Sequence, residues 1–131
     1  MSAIASRRSL ALRNGPRQNL QALQLGHNNM AAAHKAQQLI DDNAVMVFSK
    51  SYCPYCRSTK RTLDDLGAKY TVIELDQEED GSAIQDALAK ISGQRTVPNI
   101  YIGKEHIGGN SDLEARKNKD LKALLKNVGA I

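Results

Sequence analysis

Apolar residues recur at Ala32, Ala36, Leu39 and Ile40, the spacing of one helix face. The run Val45-Met46-Val47-Phe48 then has no polar position, as expected of a strand buried on both sides. Helical spacing returns from Pro54 to Leu66, with Thr59, Leu63 and Leu66 on one side and Gly67 as the stop. A second strand is predicted over Tyr70–Leu75, and Gly81 breaks the acidic stretch after it. Ser82–Ile91 reads as a helix closed by Ser92-Gly93. Asn99–Ile102 and Glu105–Ile107 read as strands joined by Gly103-Lys104, a two-residue hairpin turn of the Gly-X kind. Gly108-Gly109 leads to a last helical region in which Leu121, Leu124, Leu125 and Val128 fall at i, i+3, i+4 and i+7. The order αβαβαββα, a strand–helix–strand opening with a late hairpin, predicts an α/β fold whose mixed sheet is covered by helices. There is no internal repeat or low-complexity tract, and 131 residues suffice for one domain with a real core.

Charge changes the picture at one end only. No acidic residue precedes Asp41, whereas Arg7, Arg8, Arg13, Arg17 and Lys35 do. From residue 31 onward 14 Lys+Arg face 14 Asp+Glu, so the four N-terminal arginines account for the net charge of +4. A basic surface for nucleic acid is therefore unsupported, because such a surface needs charge clustered on the folded domain. Residues 1–30, Arg-rich, Ser-containing and acid-free with a Gly15-Pro16 break, have the composition of a mitochondrial transit peptide, or alternatively of a disordered tail. Residues 31–131 form the folded domain. Met30, just ahead of it, would give a shorter, untargeted form if used as a second start. No apolar run approaches a membrane span, and two cysteines are too few for a disulfide-stapled secreted scaffold. A mitochondrial and/or cytoplasmic location, reducing in either case, is expected.

Both cysteines lie in Cys53-Pro54-Tyr55-Cys56, and three explanations compete. A structural zinc site needs four ligands, and the other candidates, His27, His34 and His106, are scattered. A purely structural disulfide closing so short a loop stabilises little. A redox pair fits the location. Pro54 suits the first position of a helix, which puts the Cys53 sulfur at a helix N-terminus, where free N–H groups and the macrodipole favour an anion. Lys50 and Arg57 add positive charge, and the thiolate is the reactive form. Cys56, one turn further in, is expected to be more buried and to act as the resolving thiol. A CxxC near a strand–helix unit is a thioredoxin-like signature.

Two further motifs add to it. Thr96-Val97-Pro98 brings a proline into a strand, where it cannot donate to the ladder. In Gly108-Gly109-Asn110-Ser111-Asp112-Leu113-Glu114, Ser111 and Glu114 have the spacing of a capping box, so a helix is predicted to start at Ser111. Its free N–H groups would form a second anion site, approached closely past the two glycines.

Cys53-Pro54-Tyr55-Cys56, Thr96-Val97-Pro98 and Gly108-Gly109-Asn110-Ser111-Asp112, in this order and spacing, closely resemble the dithiol glutaredoxins. The likeness covers about residues 34–128, includes Ile84-Gln85-Asp86-Ala87-Leu88 and Ile91-Ser92-Gly93-Gln94, and looks most like the fungal, CPYC-type members. The resemblance implies a thioredoxin fold with a four-stranded mixed sheet flanked by helices, Pro98 in cis, and a glutathione groove. It implies that Cys53 forms the mixed disulfide with glutathione and that Cys56 resolves protein disulfides. Val97 would pair its backbone with the cysteinyl part, and Lys50 and Gln85 would hold the glycine carboxylate. Gly109, Ser111 and Asp112 would form the γ-glutamyl end, with Tyr55 and Thr96 lining the groove.

The implied co-substrate is glutathione, with no metal. Implied partners of the monomer are glutathionylated proteins and, indirectly, glutathione reductase, with neither nucleic acid nor membrane. Family members sit at roughly −200 to −230 mV, near the glutathione pool. Two rival readings use the same residues. A thioredoxin-type disulfide reductase would normally show an aromatic-Gly-Pro context, absent here. A [2Fe–2S] carrier would bridge two chains through Cys53 and two glutathiones, against which Pro54 stiffens the loop.

Overall fold

A computed structural model describes residues 30–131; the expectations for residues 1–29 lie outside the described residues. A first helix, α1, runs through residues 30–42. It is followed by β1 (Val45–Ser49), α2 (Pro54–Asp65), β2 (Thr71–Glu74), a short 3-10 turn (Leu75–Gln77), α3 (Gly81–Ser92), β3 (Asn99–Ile102), β4 (Glu105–Gly108), α4 (Asn110–Lys117) and α5 (Leu121–Asn127). The strand order is β2-β1-β3-β4. β1 runs parallel to β2 and antiparallel to β3, and β3 pairs antiparallel with β4. This is the predicted mixed four-stranded sheet of the thioredoxin fold.

Alternation along the central strands assigns each helix to a face. Met46 and Phe48 of β1 and Tyr101 of β3 pack with Ala32, Ala36 and Ile40 of α1 and with Ile84, Ala87 and Leu88 of α3. Val45 and Val47, with Ile100 and Ile102, pack on the other face with Leu63 of α2, Leu113 of α4 and Leu121 and Leu125 of α5. Tyr101 meets Phe48 edge-on, with centroids 5.9 Å apart, and donates its hydroxyl to Ser92 Oγ at 2.9 Å. All five β1 residues are buried, which accounts for the unbroken apolar run.

Three expectations change in detail. The terminal helical region is two helices, α4 and α5, separated at residues 118–120. The hairpin turn is not of the Gly-X kind: Gly103 and Lys104 both have positive φ, 58° and 69°, the pattern of a type I′ turn. A type I′ turn follows the right-handed twist of the strands, and Gly103 is held by its N–H bond to Ala44 O at 2.8 Å while packing against Val128. The third is the start of α4, at Asn110 rather than Ser111.

Leu63 ties α2 to the sheet and is fully buried. Leu63→Ala is expected to lower unfolding free energy by about 2–5 kcal/mol in a urea titration.

Candidate active site

The last residue of β1, Ser49, is followed by a tight turn in which Cys53 N donates to Lys50 O at 3.1 Å. Pro54 then opens α2 and Cys53 is its N-cap. The cap is the cysteine sulfur: the Cys56 backbone N–H donates to Cys53 Sγ at 3.3 Å. A sulfur in this place receives an N–H that has no partner within the helix, as the sequence predicted. Both thiols are free; Cys53 is partly exposed and Cys56 fully buried.

That difference in burial separates their chemistry. Burial pushes the Cys56 thiol up from its ordinary range, helped by the hydrogen bond with Cys53 and the negative charge there. The Ser49 hydroxyl and the Lys50 N–H oppose the shift. Cys56 therefore favours its protonated form, and Cys53 is the more accessible of the two sulfurs.

Across from α2, the peptide bond Val97–Pro98 is cis. Cys53 Sγ lies 3.9 Å from Val97 O, to which the thiol donates. A Cβ placed on Gly109 would lie 3.7 Å from Pro98 O, so the start of α4 stands beside the same loop. Cys53 thus stands beside Val97, and Gly109 beside Pro98, on the same cis-proline loop. Lys50 lies in the turn that ends at Cys53, and Tyr55 stands at the start of α2, 67% exposed. Thr96 is exposed at the loop and Ser111 in the first turn of α4.

The expected start of α4 is corrected. α4 starts at Asn110 with Gly109 as its N-cap, and the Asp112 carboxylate accepts the Gly109 N–H at 2.9 Å. Ser111 and Glu114 do not form the capping box, because Glu114 instead accepts the Thr62 hydroxyl at 2.5 Å. Gly108 makes this entry possible: it has φ +120°, and a Cβ there would meet Asp112 Oδ2. Gln85 is buried in α3, and its Nε2 donates to Arg95 O at 2.7 Å, so its amide already supports the loop before Thr96.

Several supporting contacts were not expected from the sequence. Gln94 donates to Thr96 O at 3.1 Å and Pro98 O at 2.9 Å, clamping the cis-proline loop. Its carbonyl oxygen and Asn99 Oδ1 both accept from His106 Nε2, at 3.1 and 3.0 Å. Burial moves His106 down from the ordinary histidine range, in keeping with a neutral ring, and the Asp112 charge offsets part of this. Thr59 Oγ1 donates to Asn110 Oδ1 at 2.9 Å, and with the Thr62–Glu114 bond this fixes the start of α4 against α2. Asp76, just past β2, accepts the Ser51 N–H at 2.9 Å and the Ser51 hydroxyl, which pulls its carboxyl below the usual range. The sequence signal was faint: two threonines three residues apart on an otherwise apolar helix face, and a glutamine between a helix stop and a proline.

Among the described residues no three His, Cys, Asp or Glu side chains gather as a metal site, and no helix is long and apolar enough to cross a membrane. Paired thiols at a helix start, opposite a cis-proline on this fold, define a thiol–disulfide oxidoreductase of the thioredoxin superfamily.

Comparison with known proteins narrows the class. The family model described as Glutaredoxin matches residues 45–107. A glutaredoxin of Ricinus communis is 55% identical over 101 residues, covering 76% of this chain and 99% of the relative. Glutaredoxin-C2 of Arabidopsis thaliana is 51% identical, covering 76% and 91%. A crystal structure of a buckwheat glutaredoxin–glutathione complex superposes with a TM-score of 0.78 at 49% identity, covering 80% of this chain and 96% of that one. The chain belongs to the glutaredoxin family, glutathione-dependent thiol oxidoreductases. These relatives are plant proteins, so the expected fungal affinity finds no support in them.

At pH 7–8 brief iodoacetamide treatment of the reduced protein is expected to label Cys53 alone by mass spectrometry. In Cys53→Ser, Cys56 is expected to label slowly and to speed up only as pH rises above the ordinary thiol range, because burial disfavours its thiolate. Equal labelling of both thiols at pH 7 would contradict the assignment.

Proposed function

We propose that this chain reduces protein–glutathione mixed disulfides and protein disulfides through its CPYC site, with glutathione as electron donor. The observation that carries the reading is the unequal pair: an accessible N-capping Cys53 beside the cis-proline loop, and a buried, protonated Cys56 behind it. The Cys53 thiolate attacks the glutathione sulfur of a glutathionylated protein. The protein thiolate leaves and takes up a proton, and glutathione remains on Cys53. A second glutathione thiolate attacks that disulfide, giving glutathione disulfide and regenerating Cys53, and glutathione reductase recycles the product. With a protein disulfide, the Cys56 sulfur attacks Cys53 instead, releasing the reduced substrate and forming Cys53–Cys56.

In this reading the Val97 backbone pairs with the cysteinyl unit of glutathione, and Lys50 holds the glycine carboxylate. Gln85 is assigned to the same end, where its amide must exchange Arg95 O for the ligand. The start of α4, with Gly109 and Ser111, receives the γ-glutamyl carboxylate, and Asp112 receives its amine. Tyr55 and Thr96 line the groove. The glutathione complex of the buckwheat relative, at 49% identity, supports the assignment.

Steady-state deglutathionylation of a glutathionylated peptide tests the reading. Cys53→Ser is expected to fall to the uncatalysed rate, whereas Cys56→Ser keeps glutathione-driven turnover. Loss of activity in both, with no turnover on glutathione, would make a thioredoxin-type reductase the better account.

The N-terminal arginines support a further proposal: residues 1–30 direct the chain to mitochondria, and a product starting at Met30 stays in the cytoplasm. Residues 1–30 fused to a fluorescent protein are expected to give a mitochondrial signal that disappears when Arg7, Arg8, Arg13 and Arg17 become Ala. A diffuse signal from the unmodified fusion would end this proposal.

A further inference from the structure

Gln94 stands between the end of α3 and the Val97–Pro98 loop, and the reaction just described gives it no part. A side-chain amide nitrogen carries two hydrogens, and Gln94 Nε2 bonds to two carbonyls, Thr96 O at 3.1 Å and Pro98 O at 2.9 Å. Those carbonyls flank Val97, whose own oxygen lies instead 3.9 Å from Cys53 Sγ. The same Pro98 O is 3.7 Å from the Cβ position of Gly109, where α4 begins. One side chain thus holds the loop on both sides of Val97, at the stretch that stands beside α4.

The surrounding network allows the Gln94 amide one orientation. Gln94 Oε1 and Asn99 Oδ1 lie 3.1 and 3.0 Å from His106 Nε2. Both amide nitrogens face backbone carbonyls, Asn99 Nδ2 donating to Gln94 O at 3.2 Å, so both amide oxygens are left to accept. His106 Nε2 therefore carries a hydrogen, shared between the two. With the Gln94 amide turned over, its oxygen would meet two carbonyl oxygens and its nitrogen would meet an N–H. Asn99 is fully buried and the His106 ring packs against Tyr101, with centroids 5.1 Å apart, so the support is anchored in the sheet.

We infer that Gln94, oriented by His106 and Asn99, is a positioning residue that gives the site its preference for glutathione over smaller thiols. The inference rests on the reading that the Val97 backbone pairs with the cysteinyl unit of glutathione. That unit has a peptide group on each side, whereas free cysteine carries a charged amine and a carboxylate there. Backbone pairing weakens steeply with misalignment, so the Val97 N–H and C=O must face the sulfur at a fixed angle. Gln94 fixes that angle by keeping the carbonyls on either side of Val97 to itself. The Cys53 sulfur is held separately, by the Cys56 N–H at the start of α2, so its reactivity toward a reagent without peptide groups is independent of Gln94.

The test is thiol exchange at Cys53 in the full chain carrying Cys56→Ser. The chain is equilibrated with glutathione, cysteine and their disulfides, and the two Cys53 adducts are counted by intact-mass spectrometry. Replacing one adduct by the other trades one disulfide for another, with no net oxidation, so the adduct ratio at known thiol concentrations is the preference. Cys56→Ser alone is expected to favour glutathione. Adding Gln94→Met, which has no amide hydrogens, is expected to lower the preference about tenfold, and adding His106→Leu about threefold. His106→Gln, which keeps an N–H donor, is expected to restore it. Iodoacetamide labelling of Cys53 and thermal unfolding are measured alongside, and labelling is expected at the same rate in all variants. An unaltered preference in Gln94→Met would overturn the inference, as would a fall accompanied by equally slowed labelling. Should Gln94→Met not fold, the His106 pair decides, and equal preferences in His106→Leu and His106→Gln would overturn it. If Cys56→Ser alone shows no preference, the glutathione reading itself fails and the role of Gln94 with it. If the preference is there and Gln94→Met leaves it intact, only the role of Gln94 fails.

Discussion

The contact on which the site depends is the hydrogen bond from the Cys56 N–H to Cys53 Sγ, 3.3 Å long. It makes a cysteine sulfur the cap of a helix, so the same geometry that starts α2 also places the sulfur proposed as the nucleophile. Everything upstream serves it. β1 is buried along its whole length, so its end is fixed. The turn closed by Cys53 N on Lys50 O delivers the chain at the right angle, and Pro54 starts a helix without leaving an unused donor at that position. Asp76 holds the turn from outside through Ser51.

The second half of the site is positioned by different means. Thr59 and Thr62 project from α2 to Asn110 and Glu114, so the start of α4 is registered directly against the helix that carries the cysteines. Gln94 clamps the cis-proline loop and is itself held by Asn99 of β3 and His106 of β4. The site is assembled from three loop ends, each tied to a rigid element by side-chain hydrogen bonds. That arrangement suits a reaction in which the sulfurs must meet in line.

Much of the fold was legible because burial writes itself into spacing. The two-sided strand Val45–Phe48 and the leucine pattern from residue 121 were readable as core, and Cys-Pro-Tyr-Cys after a strand was readable as chemistry. What misled was local grammar with two valid parses. Ser111/Glu114 and Gly109/Asp112 both have capping spacing, and tertiary contact decided between them by drawing Glu114 to Thr62. Gly103-Lys104 allowed two turn types, and the strand twist selected the one that places Lys104 at φ 69°. The Gln94 clamp and the Gln85–Arg95 bond could not be read, because a polar residue's partner across the fold leaves no periodic trace.

The central claim is that Cys53, the cis-proline loop and the start of α4 form one groove for one tripeptide. It is tested most directly by amide NMR of Cys56→Ser with and without glutathione linked to Cys53. The account predicts shifts at Lys50, Tyr55, Val97 and Gly109–Asp112 together, with α5 unchanged. Shifts confined to Cys53 and its sequence neighbours would show that the groove does not hold glutathione, and would contradict it.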